Sequence, residues 1–533
     1  MRSVHISLNV QKCAVLLFTP SSYPSSPVTI DLKVASESIR QTNLLKYLGV
    51  WYEGHLDWAH HLEVVSQKAT KACSLLYRCS STRIGMRRNA LLLVYKCYIR
   101  PVLEFGCVLF SHLPDYRLRR LFIIERKALR LCLGLPKYTS NQALYCEARI
   151  LPLKSRFRVL TINTFLSLCQ SPLSLRHNEA LRDMRYWLDR RWRKSNTPQL
   201  AFAELLLKPL GVSLTDVPPP CCPLFCPSVK VEDAFQPGTS FTDHNKLEVI
   251  LNRHIDRFPE HLVVATDASV SGQRAGVGLV FPRLDGHFPI RLPDYIPVFE
   301  SEFLAIVLAL RMVPARYCKT LLLSDSLSVI SSLANPSSPL LQLLASLTPP
   351  HISEVVLTWI PGHKGLTLNE AADSLAKISL TGPIIDTLPP LPQIVKSRYR
   401  RFLELSACRS LPPRYDHLSS PWQPDCCSSR LIEVFLTRAR CLALPLNFYL
   451  HRAGVHDSPL CPHCGQDETV EHFFLHCRLY DRLRQNYLVR PLKMQGAPLC
   501  LDSLLSFGSS HAGRWNWTVA SSVAAFMTLS QRF

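Results

Sequence analysis

The sequence predicts a multidomain chain: a central α/β domain with a mixed sheet and flanking helices, a mostly α-helical region before it, and a small metal-binding module after it. Three observations carry this expectation. At 533 residues the chain exceeds what one hydrophobic core usually organises. Its 40 prolines concentrate in stretches that cannot continue a helix or a central strand. Strand-like and helix-like patterns alternate between the first two of those stretches and not before them.

The proline-rich breaks are VPPPCCPLFCPS, Val217 to Ser228, then TGPIIDTLPPLPQ from Thr381, then LPPRYDHLSSPWQP from Leu411. They divide the chain into a helical region over 1–215, a linker over 216–258, the α/β domain over 259–380, a linker over 381–430 and a terminal module over 431–533. In the first region, Leu62 to Tyr77 and Arg87 to Tyr98 space their apolar residues as helices do, among many cations. In the α/β domain, LVVAT at 262–266 and GVGLVF at 276–281 read as strands, and Glu302 to Met312 as a helix. LLLS at 321–324 is a further strand, followed by a helix through Leu333, the strand EVVLTWI at 354–360 and a helix from Leu368 to Ser379. There is no internal repeat.

Composition narrows the function classes. Hydrophobic residues at 47% and charged residues at 19% make a globular mixture, not a disordered one. Lys and Arg outnumber Asp and Glu by 61 to 40, a net charge of +21, which favours a nucleic acid backbone as partner. The excess is clustered: Arg83 to Arg100 holds five cations and no acid, and Arg117 to Lys137 holds seven cations against Glu125 alone. No apolar run approaches the roughly 20 residues of a membrane span, and the run from Ala14 to Phe18 is too short for a secretory segment. The expectation is therefore an intracellular protein with no membrane partner, nucleus or cytoplasm unresolved. Most of its 20 cysteines then read as reduced, buried small hydrophobes.

Four acids stand where active sites collect. Asp267 closes the first strand, Asp325 follows LLLS and opens a helix, and Glu302 lies in the first turn of its helix. Paired strands would bring these three to one sheet edge, and Asp373, ten residues beyond His363, would close the cluster. Carboxylates so gathered repel one another unless cations neutralise them, and hard oxygen ligands select Mg²⁺ or Mn²⁺. Two such ions about 3.5–4 Å apart activate a water and stabilise the leaving oxygen in phosphodiester hydrolysis. His363, in the segment PGHKG, carries the side chain that changes charge near neutral pH and suits proton transfer.

Near the end of the sequence, Cys461-x2-Cys464-x7-His472-x4-Cys477 has the ligand types and spacing of a closed tetrahedral Zn²⁺ site. His463 and His476 are alternative ligands. Cys221, Cys222, Cys226, Cys426 and Cys427 lack partners at ligand spacing and are assigned no metal.

The segments VVATDAS (263–269), SEFLAI (301–306), SDSLSVI (324–330) and WIPGHKGLTLNEAAD (359–373) resemble, in order, the four blocks of a type-1 ribonuclease H. The resemblance covers some 120 residues. It implies a ribonuclease H-like fold over 259–380, with Asp267, Glu302, Asp325 and Asp373 holding two Mg²⁺ or Mn²⁺ ions. It implies further that His363 is the mobile catalytic histidine and that Asn369, Ser269 and Ser326 contact substrate. The reaction implied is endonucleolytic hydrolysis of RNA in RNA–DNA hybrids, read by 2′-hydroxyls and groove shape. Two departures stand out: Ala268 where glycine is frequent, and Glu300 two residues before Glu302. The apolar continuation through Phe303, Ala305 and Ile306 favours Glu302.

The surrounding regions carry a second resemblance. LTRARCLALPLNFYLHRAGVHDSPLCPHCG resembles the module that follows ribonuclease H in LINE-type, non-LTR retrotransposon polyproteins. SLNVQKCAVLLF, LLKYLGVWYEGHLDWAHHL and YKCYIRPVLEFGCVLF resemble the end of the palm and the following connection of such reverse transcriptases, Lys12 and KYLG at 46–49 matching later palm motifs. No Tyr/Phe-x-Asp-Asp turn precedes SLNVQKCAV, so polymerisation is not expected, and the helical region is expected to bind template backbone. The alternatives are a catalytically idle nucleic-acid-binding remnant of a truncated reverse transcriptase, and a pseudogene product without a stable fold.

Overall fold

A computed structural model of the chain describes residues 9–18, 29–34, 37–169, 199–217, 227–235, 244–384, 390–419, 429–494, 496–506 and 514–533. The five cysteines assigned no metal lie outside the described residues. The chain divides into two compact units, one made of Met1–Phe157 with Ala407–Phe533, the other of Arg158–Ser406.

After two short strand pairs, Ala14–Val15 with Arg40–Gln41 and Lys33–Val34 with Glu37–Ser38, the first unit forms a hairpin of β1 (Leu44–Tyr47) and β2 (Val50–Glu53), which turns through Leu48 and Gly49, both at positive φ. Helices α1 (Ala59–Cys79) and α2 (Asp115–Leu133) pack on each other. Their buried residues Leu62, Val65, Ala69, Ala72 and Leu76, and Leu118, Leu121, Leu129 and Cys132, recur every three or four positions, as one buried stripe requires. Helix α2 ends at Gly134, whose φ of 67° suits a glycine cap, and α3 (Asn141–Ala148) follows.

The second unit is built on a six-stranded mixed sheet. Its strands are β3 (Ser228–Val231), β4 (Leu262–Ser271), β5 (Arg274–Phe281), β6 (Gly286–Leu292), β7 (Lys319–Ser324) and β8 (Glu354–Trp359). They lie in the order β6-β5-β4-β7-β8-β3. The pairs β6·β5 and β5·β4 are antiparallel, and β4·β7, β7·β8 and β8·β3 are parallel. Between strands run α4 (His244–Asp256), α5 (Val298–Arg311) and α6 (Leu327–Ala334), and after β8 come α7 (Thr367–Ser379) and α8 (Pro392–Arg409).

Both faces of the sheet are covered, which explains why its central strands read as unbroken apolar runs. Leu262, Val264, Leu322 and Leu357 join Phe303, Ile306 and Leu310 of α5 in one core. The alternate residues Val263, Ala265, Leu321, Leu323 and Val356 join Leu247 and Leu251 of α4, Leu366 and Ala372 in the other.

Several sequence expectations are corrected. The stretches 216–258 and 381–430, read as linkers, contain β3 and α4, and α8. Proline-rich flanks obscured short elements whose apolar residues, such as Leu247 and Leu251, are few but fully buried. The helix carrying Glu302 starts at Val298, so this residue sits in the second turn. Strand β4 runs on to Ser271, so Asp267 does not close it; only its pairing with β7 stops at Thr266. Cysteines are less uniformly buried than expected, with Cys97, Cys318, Cys408 and Cys464 exposed.

The remainder of the first unit contains α9 (Arg430–Arg440), capped by Ser429, and α10 (Arg514–Leu529). Phe473, Phe474, Leu488, Val523 and Phe526 make its core. It is tied to the early helices by buried charges. Glu147 of α3 accepts from Arg88 at 2.6 Å and from Arg440 at 3.0 Å, every one of these side chains at most 6% exposed. Glu433, paired with Arg430 at 2.6 Å, also accepts from the Arg88 backbone N–H at 3.0 Å. Removing one partner of such a buried network costs about 3–5 kcal/mol. The basic clusters are thus partly structural: Arg88 is consumed here, Arg100 pairs with Glu104, and Arg120 pairs with Glu63.

No described helix is long and apolar enough to cross a membrane.

Candidate active site

Parallel pairing sets the site. Thr266 of β4 lies opposite Ser324 of β7, so the next residues, Asp267 and Asp325, emerge side by side where the two strands part. Glu302 enters from α5. Oxygens of Asp267, Glu302 and Asp325 all lie within 4.8 Å of one another. Asp267 and Glu302 are both 6% exposed, and one Glu302 oxygen, Oε2, has no hydrogen-bond partner.

Asp373 stands beside this triad and outside the 4.8 Å group. Its Oδ2 accepts from Lys377 at 2.7 Å and lies 3.9 Å from Nδ1 of His363, an exposed residue at φ 52°. Asn369 is buried and its side chain opposes the upward shift of the Asp325 carboxyl. Ser326 donates its backbone N–H to Ser324 Oγ at 3.2 Å, and Ser269 pairs with Gly276 across β4 and β5; both are half-buried beside the acids. Glu300 faces elsewhere, its carboxylate accepting from Ser397 of α8.

Glycines make these approaches possible. A Cβ on Gly278 or Gly276 would run into Ala372 O or Ser379 Oγ, so α7 lies directly on β5 and carries Asp373 toward Asp267. The alternating G-V-G at 276–278 is the sequence signal for this, since residues two apart share a strand face. The backbone of Asp325 is fixed by Trp359 Nε1, which donates to its carbonyl at 3.0 Å. Lys377, one helical turn after Asp373, is a site residue outside the sequence expectations, and the i,i+4 spacing is the signal for it.

Crowding perturbs the acids. Burial first, then the charges of Asp325 and Asp373, push Asp267 up to about 7. Burial, then Asp267 and Asp325, push Glu302 up to about 9. Asp325 is raised by burial, with the Asn369 hydrogen bond opposing. Without a counter-cation such a triad keeps protons; a divalent ion would displace them, and the free Oε2 of Glu302 is a ready ligand atom.

The Cys/His group forms a second centre. One atom each of Cys461, Cys464, His472 and Cys477 lie within 4.8 Å of one another. The Cys461 and Cys477 sulfurs are 3.9 Å apart and Cys464 Sγ is 3.2 Å from His472 Nε2. Zn–S bonds of about 2.3 Å in a tetrahedron put two sulfurs about 3.8 Å apart, so the donors fit zinc. A tight turn builds the first pair: Cys461 N–H donates to Gln466 O at 2.7 Å, with Gly465 at φ 69°. Burial lowers His472 from its ordinary value and, with the neighbouring thiols, pushes Cys477 up to about 11. His463 and His476 are exposed and outside the group.

No profile of a known protein family matches the chain. Among curated proteins, a probable RNA-directed DNA polymerase from transposon X-element of Drosophila melanogaster is 24% identical over 149 residues, 28% of this chain and 16% of that protein. The RNA-directed DNA polymerase from mobile element jockey, of the same organism, is 21% identical over 150 residues, 27% of this chain and 16% of that protein. The match thus spans 16% of the length of each relative. The chain is distantly similar to retrotransposon polymerases.

Proposed function

We propose that residues 259–380 hydrolyse RNA paired to DNA, with divalent metal, within a retrotransposon-derived protein. The observation that carries this reading is the gathering of Asp267, Glu302 and Asp325, from three separate segments, into one buried group at the parting of two parallel strands. The order β6-β5-β4-β7-β8, antiparallel then parallel, supports a ribonuclease H-like fold, and distant similarity to retrotransposon polymerases supports nucleic acid as partner.

Asp267, Glu302 and Asp325, joined by Asp373, would hold Mg²⁺ or Mn²⁺. Bound there, a pair of ions would supply an activated water and charge stabilisation at the scissile phosphate. The chain's own residues do the rest. Asn369, buried beside Asp325, favours the ionised carboxylate that a cation would need. Lys377 holds Asp373 toward the site. His363, exposed on its loop at 3.9 Å from Asp373, is placed to carry a proton between that carboxylate and solvent. In the first unit, the Cys461, Cys464, His472 and Cys477 group would hold a structural Zn²⁺.

Incubating the full chain with Mg²⁺ and a hybrid labelled on its RNA strand tests the reading. Cleavage of RNA only when paired to DNA is expected, and cleavage no greater than that of Asp325→Asn would sink it.

A further inference from the structure

Helix α4 lies in the stretch whose sequence reads as a linker, yet it touches both segments that complete the site. His244, at its first turn, donates from its ring to Lys364 O, the residue after His363. The contact depends on Gly365: at φ 74° a Cβ there would sit 2.6 Å from His244 Nδ1. One turn later, Glu248 Oε1 accepts from Thr367 Oγ1 at 2.5 Å and Oε2 accepts from the Thr367 backbone N–H at 3.3 Å. Thr367 is the first residue of α7, whose N-cap position is Leu366, a side chain that cannot cap. Glu248 therefore supplies from another helix the acceptor that α7 lacks, and places a carboxylate at the positive end of the helix dipole. Leu247 and Leu251 bury against the same core as Ile360 and Leu366, on both sides of the histidine loop.

We infer that His244 and Glu248 are positioning residues: they hold the 361–366 loop and the start of α7, and so set where His363, Asn369 and Asp373 stand relative to Asp267. This rests on the ribonuclease H reading for its consequence in catalysis, and not for the tie itself. The groups facing the tie are Lys364, Gly365 and Thr367, with Glu370, which accepts from Gly365 N–H at 3.2 Å.

The test uses the full chain carrying His244→Ala, Glu248→Ala, or the conservative His244→Asn and Glu248→Gln. Hydrogen exchange is read first because it needs no activity. Faster exchange across 361–370 in the alanine variants, with β4 and β7 unchanged and partial recovery in the conservative variants, is expected. Unchanged loop exchange overturns the inference. In hybrid cleavage with Mg²⁺, kcat is expected to fall about tenfold in the alanine variants with KM within about twofold, the pattern of a lost catalytic geometry. Combined with His363→Ala, His244→Ala should cost clearly less than its tenfold in the native chain, because only the part acting through Asn369 and Asp373 remains; a full tenfold further loss overturns the placement of His363 by this tie. If the native chain leaves hybrids intact while loop exchange still responds, the ribonuclease H reading falls and the α4 tie stands.

Discussion

Gly362 stands against the Asp325 carboxylate so closely that a Cβ on it would lie 2.5 Å from Oδ2. The acid and the start of the histidine loop therefore share space only because residue 362 has no side chain. Gly362→Ala is expected to displace Asp325 or the loop and to lower hybrid cleavage by about 100-fold, the order of loss seen for misplacements near 1 Å. Single-turnover cleavage measures this; hybrid affinity in Ca²⁺ should stay within about twofold. Cleavage like that of the native chain would show that the loop relaxes freely.

The two neighbouring glutamates should separate cleanly. Glu302→Gln removes a charge from the triad and is expected to reduce cleavage by two orders of magnitude or more, on the order of what one preorganised electrostatic group contributes. Glu300→Gln keeps an acceptor for Ser397 and should leave the rate within about twofold. Equal losses in both variants would refute a triad role for Glu302 that Glu300 does not share.

Metal-free protein should lose stability as pH rises. Asp267, Glu302 and Asp325 have folded values raised above those of the unfolded chain, so between about pH 4 and pH 9 the folded protein binds more protons than the unfolded one. Their favourable contribution is complete below about pH 4 and disappears as pH climbs through 7 and 9. Each such proton is worth up to about 1.4 kcal/mol per pH unit. Thermal unfolding of the zinc-loaded chain in buffer free of Mg²⁺ and Mn²⁺ should show a downward slope from about pH 5 to pH 8, shallower in Glu302→Gln and shallower with Mg²⁺. Identical slopes in the native and Glu302→Gln chains would contradict the shared burial of these acids.

Zinc removal should act on the first unit. Apparent binding free energies at structural sites of this type are about 10–16 kcal/mol, comparable with the stability of a whole domain. Cys461→Ser should abolish one equivalent of zinc and expose the chain beyond Arg440 to protease, while His463→Ala, at an exposed position, should change neither. Metal analysis with limited proteolysis reads both, and zinc retained by Cys461→Ser rejects the ligand set.

How much of this was legible in the sequence follows from the distance between interacting residues. The acids, His363 and the Cys/His group sit in short contiguous blocks, where the strand or helix that presents a residue is written around it. The tie from Glu248 to Thr367 spans 119 positions and that from Arg440 to Glu147 spans 293, with no local pattern to link the partners. Helix α4 was missed for the same reason. Its two fully buried leucines gain their meaning from a core assembled elsewhere in the chain.

Glu147 bridging Arg88 and Arg440 also constrains the timetable of synthesis. Arg88 and Glu147 emerge early and can pair with each other, but Arg430, Glu433 and Arg440, which complete the buried network, follow only after residues 158–406 are made. At about 5–20 residues per second, roughly ten to fifty seconds separate the two halves. During that interval the second unit can collapse around its own sheet, while the Arg88–Glu147 pair lacks Arg440 and Glu433, which are not yet translated. Nascent chains stalled before residue 430 should therefore show a protease-resistant sheet and protease-sensitive early helices.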